Sequence, residues 1–141
     1  MKLHHIALSV IDLKAMTDGY HKALGLVPGF AFELPGFQVV MAESPNGFRI
    51  EFFQAENAQR TVDSSTPLTV MRFHGFTHLA MNVESVTAEY DRLLAIGAES
   101  VWNPRRSPEP GQDMAFVRDP EGNLIELIGP SFPDVGVADG H

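Results

Sequence analysis

The sequence predicts an α+β fold in which one βαβββ module is used twice, and two observations carry that prediction. First, His5-Ile6-Ala7-Leu8-Ser9-Val10 and His78-Leu79-Ala80-Met81-Asn82-Val83 correspond position by position, each opening on histidine and closing on valine. Second, each is followed at a similar distance by a glycine turn and an apolar strand that holds a single carboxylate. These are Ser44-Pro45-Asn46-Gly47-Phe48-Arg49-Ile50-Glu51-Phe52-Phe53 and Asp119-Pro120-Glu121-Gly122-Asn123-Leu124-Ile125-Glu126-Leu127. Glu51 follows His5 by 46 residues, and Glu126 follows His78 by 48.

Taken in order, Leu3 to Val10 reads as a strand, with Leu3, His5, Ala7 and Ser9 on one face and His4, Ile6, Leu8 and Val10 on the other. Asp12 is placed to cap a helix carrying Leu13, Met16, Tyr20 and Leu24 at helical spacing, and Gly25 to end it. Leu26 to Phe32 is a short strand interrupted by Pro28-Gly29, and strands over Phe37 to Ala42 and Phe48 to Phe53 complete the first module. The polar run Ala55 to Pro67 belongs to a connector over residues 55–73. The second module repeats the order. Phe76 to Val83 is a strand, Ser85 caps a helix with Val86, Tyr90, Leu93 and Leu94 inward, and Gly97 ends it. Ala98 to Trp102 is a strand, Asn103 to Gln112 a proline-rich loop carrying Arg105 and Arg106, and Met114 to Val117 and Leu124 to Ile128 are strands. Residues 1–141 thus form a single domain of two modules, about 3–54 and 74–129, with a flexible tail over 130–141.

With 141 residues, 44% of them apolar and 20% charged, the chain has ordinary globular composition and enough material for one domain's core. A net charge of −8 argues against nucleic acid or an anionic membrane surface as partner. The absence of cysteine excludes disulfides and thiolate metal sites. Entry into a strand directly after Met1, and the lack of any apolar run of membrane-spanning length, predict a cytoplasmic protein.

A carboxylate inside an apolar strand is costly to bury unless something pairs with it. Taken singly, a strand histidine is ordinarily a satisfied core or edge residue, and a lone glutamate a solvated one. His5, Glu51, His78 and Glu126 recur in register within a repeat, and this points to an N2O2 ligand set for one divalent ion. Zn, Ni, Co, Mn or Fe suit such donors better than Ca or Mg. Four protein ligands on an octahedral ion leave two positions for a chelating small-molecule substrate. His4 and His74 compete with His5 and His78, and the repeat selects the latter two. Phe37, Val39, Phe53, Phe76 and Met114 read either as an apolar cavity lining or as plain core.

Over about residues 3 to 129 the chain resembles the vicinal oxygen chelate superfamily, which contains glyoxalase I, extradiol dioxygenases, methylmalonyl-CoA epimerase and bleomycin- or fosfomycin-resistance proteins. The segments that carry the resemblance are His78 to Val83 and Phe116 to Leu127. The resemblance implies two βαβββ modules forming a half-barrel metal cup, one divalent ion per site, and a homodimer. Glu51 stands where glyoxalase I-like members carry glutamate. This implies a lyase or isomerase acting through a metal-chelated enediolate, with Glu126 or Glu51 as the base that lifts a carbon-bound proton. Epimerase-like members resemble the pattern with Gln at that position and carry an acidic residue in the segment of Glu33. Ring-cleaving dioxygenases use three ligands, corresponding to His5, His78 and Glu126. A sequestering dimer without turnover is the non-enzymatic alternative. The chain departs from bacterial glyoxalase I-like sequences at Ser9, where they place the Arg that binds the glutathione carboxylate, and at Gln54-Ala55, where they place Asn. Arg49, Arg105 and Arg106 are the cations left for an anionic substrate, or else solvated surface charge.

Overall fold

A computed structural model describes residues 1–59 and 65–132 of the chain. The expected tail, beyond its first few residues, and the middle of the expected connector lie outside the described residues. The chain divides into two compact units, Met1–Thr61 and Val62–His141.

The first unit runs β1 (Ile6–Val10), α1 (Leu13–Leu24), β2 (Val27–Leu34), β3 (Phe37–Glu43) and β4 (Arg49–Ala55). Its sheet has the order β1-β4-β3-β2, with β1 parallel to β4 and the other neighbours antiparallel. The second unit adds a short helix α2 (Pro67–Val70) and then β5 (His78–Asn82), α3 (Val86–Ala95), β6 (Glu99–Arg106), β7 (Gln112–Arg118) and β8 (Leu124–Pro130). Its sheet repeats the arrangement as β5-β8-β7-β6, again with one parallel pair. Both sheets are open and mixed, and the βαβββ order expected from the repeat is present in each.

The helices fix which sheet face is available for chemistry. Asp12 accepts a hydrogen bond from Ala15 N–H and Ser85 one from Ala88 N–H, so both predicted N-caps are in place. Gly25 closes α1 in the left-handed conformation, with φ 71°. Along α1, Met16 and Tyr20 are buried, and the Tyr20 ring meets Phe52 edge-on at 5.3 Å. Burying side chains of this size stabilises the unit by roughly 1.5–3 kcal/mol each. Because strand side chains alternate, Ile50 and Phe52 on the helix side leave Glu51 on the opposite face. In the second unit Val86, Tyr90 and Leu93 are buried along α3, and Tyr90 Oη bonds Ser100 Oγ at 2.7 Å.

Each carboxylate-bearing strand is reached through a buried polar turn residue. Ser44 Oγ accepts from Phe48 N–H, whereas Asp119 accepts from the N–H groups of Glu121 and Asn123 and from the Asn123 amide. Gly47 and Gly122 occupy the same turn position with φ 88° and 87°, a conformation that side chains with a Cβ resist.

Several elements differ from the sequence reading, and β1 begins at Ile6, so His5 lies immediately before that strand and not on it. β6 continues through Asn103 and Pro104 to Arg106, so Arg105 and Arg106 lie on a strand and not in a loop. Proline is tolerated there because β6 is an edge strand, and the register slips at that point. The expected connector also contains α2, capped by Thr66 with Pro67 in its first turn. In the first unit the edge strand β2 has a register shift between Pro28 and Ala31, and all eight of its residues are exposed. Phe30 and Phe32 stack at 5.8 Å on it.

Candidate metal centre

In the second unit Ala80 on β5 is the register partner of Glu126 on β8. His78 lies two residues before Ala80, on the same strand face, and is therefore diagonal to Glu126. The two side chains meet, His78 Nε2 standing 3.0 Å from Glu126 Oε2, with 20% and 14% of each exposed. The first unit builds the same diagonal. Ala7 on β1 partners Glu51 on β4, and His5, two residues earlier, places Nε2 3.5 Å from Glu51 Oε1. The sequence spacings differ by two without disturbing this offset. The length differences lie away from the pair: residues 107–111 connect β6 to β7 where only 35–36 connect β2 to β3, partly offset by the shorter helix α3.

The second ring nitrogen of each histidine is also held. Thr77 Oγ1 lies 2.8 Å from His78 Nδ1, and His4 Nδ1 lies 2.7 Å from His5 Nδ1, the two imidazoles meeting edge-on. In the sequence His4 reads only as a rival to His5, and nothing singles out Thr77. The available signal was position, since each immediately precedes the histidine it supports. A metal-ligating histidine characteristically has its distal nitrogen hydrogen-bonded in this way, which fixes ring orientation. A hydroxyl and an imidazole can each donate or accept, so either partner tolerates both tautomers of the ring it holds.

Apolar groups flank both carboxylates. Phe116 is the β7 partner of Glu126 and meets the His78 ring edge-on at 5.1 Å, while Met41 is the β3 partner of Glu51. Phe116 and Met41 are buried. Val70 from α2 packs with Phe116 and Leu124 beside the second pair. Arg49 shares its face with Glu51 and donates from Nε to the His4 carbonyl at 3.2 Å.

The remaining candidates separate clearly. Phe76 is fully exposed and Phe37 is 43% exposed, so neither belongs to a buried lining, whereas Val39 is core. Glu33 is exposed on β2 opposite Gln38, and His74 is exposed. Gln54 is committed to the fold, its Oε1 accepting from Leu13 N–H at 2.7 Å at the start of α1, and Ser9 is exposed on β1. Among the described residues no three His, Asp or Glu side chains gather closely enough to hold an ion; each unit assembles a pair. Each pair nevertheless supplies one imidazole nitrogen and one carboxylate oxygen at a common point, the donor chemistry that a first-row divalent ion takes.

Two open βαβββ units, each presenting a His–Glu diagonal on the face away from its helix, define a fold built from one module used twice. The chain belongs to the Glyoxalase/Bleomycin resistance protein/Dioxygenase superfamily, whose family model matches residues 2–127. A protein of Synechocystis described as a probable lactoylglutathione lyase is 36% identical over 55 residues, a match covering 39% of this chain and 42% of that protein, less than half of its length. A glyoxalase family protein from Enterococcus faecalis superposes with a TM-score of 0.76 at 22% identity, over 90% of this chain and 96% of that one. A glyoxalase I mutant from Zea mays gives a TM-score of 0.70 at 18% identity, over 92% of this chain and 47% of the maize chain, so this chain spans about half of it. At these identities the structural likenesses establish the fold alone.

Proposed function

We propose that the chain is a divalent-metal-dependent lyase or isomerase of glyoxalase I type, working as a cytoplasmic homodimer on a small molecule with adjacent oxygens. In this reading His5, Glu51, His78 and Glu126 are the ligands of one Zn, Ni, Co, Mn or Fe ion per site. The observation that supports the proposal is the duplicated diagonal: at two independent parallel strand pairs a histidine, at the start of β5 or immediately before β1, meets a glutamate at the same offset, and the histidine's other ring nitrogen has a partner. Neither a core histidine nor a solvated glutamate needs that repetition.

A bound ion would supply Lewis acidity to an enediolate-like oxyanion. The chain's own residues do the rest. Thr77 and His4 hold the two imidazoles in orientation. Glu126, or Glu51 in the same role, takes a carbon-bound proton on a carboxylate oxygen and returns it to the neighbouring carbon. Phe116 and Met41 exclude water beside those oxygens, which keeps the proton from exchanging with solvent. Glu51, where an epimerase-like chain has glutamine, favours the glyoxalase type; Ser9 and the occupied Gln54 speak against glutathione as the thiol. The pairwise rather than triple clustering of donors is what favours a non-catalytic binder as the second reading.

Elemental analysis of the purified protein, beside a His5→Ala, His78→Ala variant, tests this. About one transition ion per chain, lost in the variant, together with isomerisation of hemithioacetals, supports the enzyme. No uptake of any of the five ions refutes it and leaves the binder.

A further inference from the structure

The second unit carries an arginine that the His–Glu pair does not use. On β7 and β6, Phe116 and Trp102 are register partners, and Phe116 is also the partner of Glu126 on β8. Glu126, Phe116 and Trp102 therefore form one row across the sheet, on one face. Ring contacts run along it, from His78 to Phe116 at 5.1 Å and from Phe116 to Trp102 at 5.5 Å. At its end the Arg105 guanidinium lies over the indole, 4.8 Å from the ring centre.

Arg105 reaches this face only because β6 is irregular. Between the partners Trp102↔Phe116 and Arg105↔Met114, β6 spends three residues against two on β7. In a regular strand, residues 102 and 105 point to opposite faces, and the extra residue of a bulge returns them to the same one. The adjacent Arg106 shows the contrast: it pairs with buried Asp113, whose Oδ1 it meets at 3.1 Å. Among the described residues Arg92, Arg106 and Arg118 have carboxylate partners and Arg105 has none, in a chain of net charge −8. Asn103 holds one edge of the guanidinium, its carbonyl accepting from Nε at 3.1 Å and its Oδ1 from Nη2 at 2.7 Å. Nη1 has no partner among the described residues. Stacking on Trp102 and Asn103 at the side thus pre-organise a half-buried cation with Nη1 left over, suited to a carboxylate.

We propose that Arg105, held over Trp102, is the substrate's anion-recognition group, selecting small molecules with a carboxylate roughly 10 Å (two strand spacings) from the reacting oxygens. This deepens the proposed function, since it takes the His78–Glu126 end of the row as the reacting centre. It offers a cation for substrate binding in a chain that has serine at position 9.

Trp102 is the chain's one tryptophan, so its fluorescence reports on this site directly. Glutarate and its neutral analogue glutaramide would be titrated into the full chain, first stripped of metal with chelator and then loaded with zinc. Glutarate is expected to give a saturable change in both forms, and glutaramide none. Arg105→Gln should weaken glutarate at least about tenfold, the effect of losing one charge-assisted hydrogen bond, and Arg105→Lys should recover part of it. Unchanged circular dichroism would establish that the variants fold. Equal glutarate affinity in Arg105→Gln, or an equal response to glutaramide, overturns the inference. A chain that takes up no metal but binds glutarate through Arg105 loses the proposed function and keeps this site. Normal metal uptake with Arg105-independent binding does the reverse.

Discussion

Replacing Gly129 by alanine tests whether the parallel β5–β8 pair, which brings His78 to Glu126, depends on a close backbone approach. Gly129 does not have a positive φ, so alanine meets no intrinsic backbone penalty there. The obstacle is space: a Cβ at this position falls inside van der Waals contact of the Val83 carbonyl oxygen, and within 3.2 Å of its carbon and 3.4 Å of Val83 Cγ2. Backbone atoms cannot swing aside as a flexible side chain can, so the chain after β5 must shift. Val83 N–H donates to the Ile128 carbonyl at 2.8 Å, and the shift would strain or break that bond. Overpacking costs about 1–3 kcal/mol and a lost backbone hydrogen bond about 1 kcal/mol, giving about 2–4 kcal/mol in all. At about 4 °C per kcal/mol for a chain of this length, Tm should fall by about 8–16 °C. Thermal unfolding followed by circular dichroism measures it. A Tm within about 2 °C of the parent would refute the reasoning and imply that Val83 has room to retreat.

Three further outcomes follow from the turns and the histidine supports. Gly47→Ala meets no atom within 4 Å but keeps φ at 88°, so it should cost about 1–2 kcal/mol from backbone strain alone, read by urea unfolding; no loss of stability would contradict that. Asp119→Ala removes the charged acceptor of two part-buried backbone N–H groups and of the Asn123 amide and should cost about 2–4 kcal/mol, against about 1 kcal/mol for Ser44→Ala, which loses one side-chain bond of 3.2 Å; equal losses would remove the distinction between the two turns. Thr77→Val removes the support of His78 Nδ1 and should weaken zinc about 10–100-fold in a chelator competition, with unchanged affinity counting against a ligand role for His78.

Much of this was legible in the sequence because the repeat aligned chemistry as well as hydrophobicity. The caps Asp12 and Ser85, the stop at Gly25 and the two His–Glu offsets each rest on local signals that the fold does not override. Other features carry no such signal. α2 has four residues, too few to show helical period, though Thr66-Pro67 is a fair start. Pro104 reads as a loop marker, and only the position of β6 at the edge of its sheet makes it compatible with a strand. Phe76 and Phe37 fit a cavity lining or a core equally well in the sequence, because apolarity alone does not say which way a side chain faces. The imidazole partners Thr77 and His4 depend on side-chain rotation about neighbouring residues, which no period encodes.

The eight-residue edge strand β2 has a consequence for how copies of this chain meet in solution. Val27, Phe30, Phe32 and Leu34 are all well exposed beside an unpaired row of backbone groups, a surface ready to template a strand from another molecule. Pro28 withholds a donor, the irregularity that follows keeps the edge from lying flat, and Glu33 adds a charge. Straightening that edge, by replacing Pro28 and Gly29 with β-branched residues, would convert a protected border into a polymerisation site while leaving both histidine–glutamate pairs untouched.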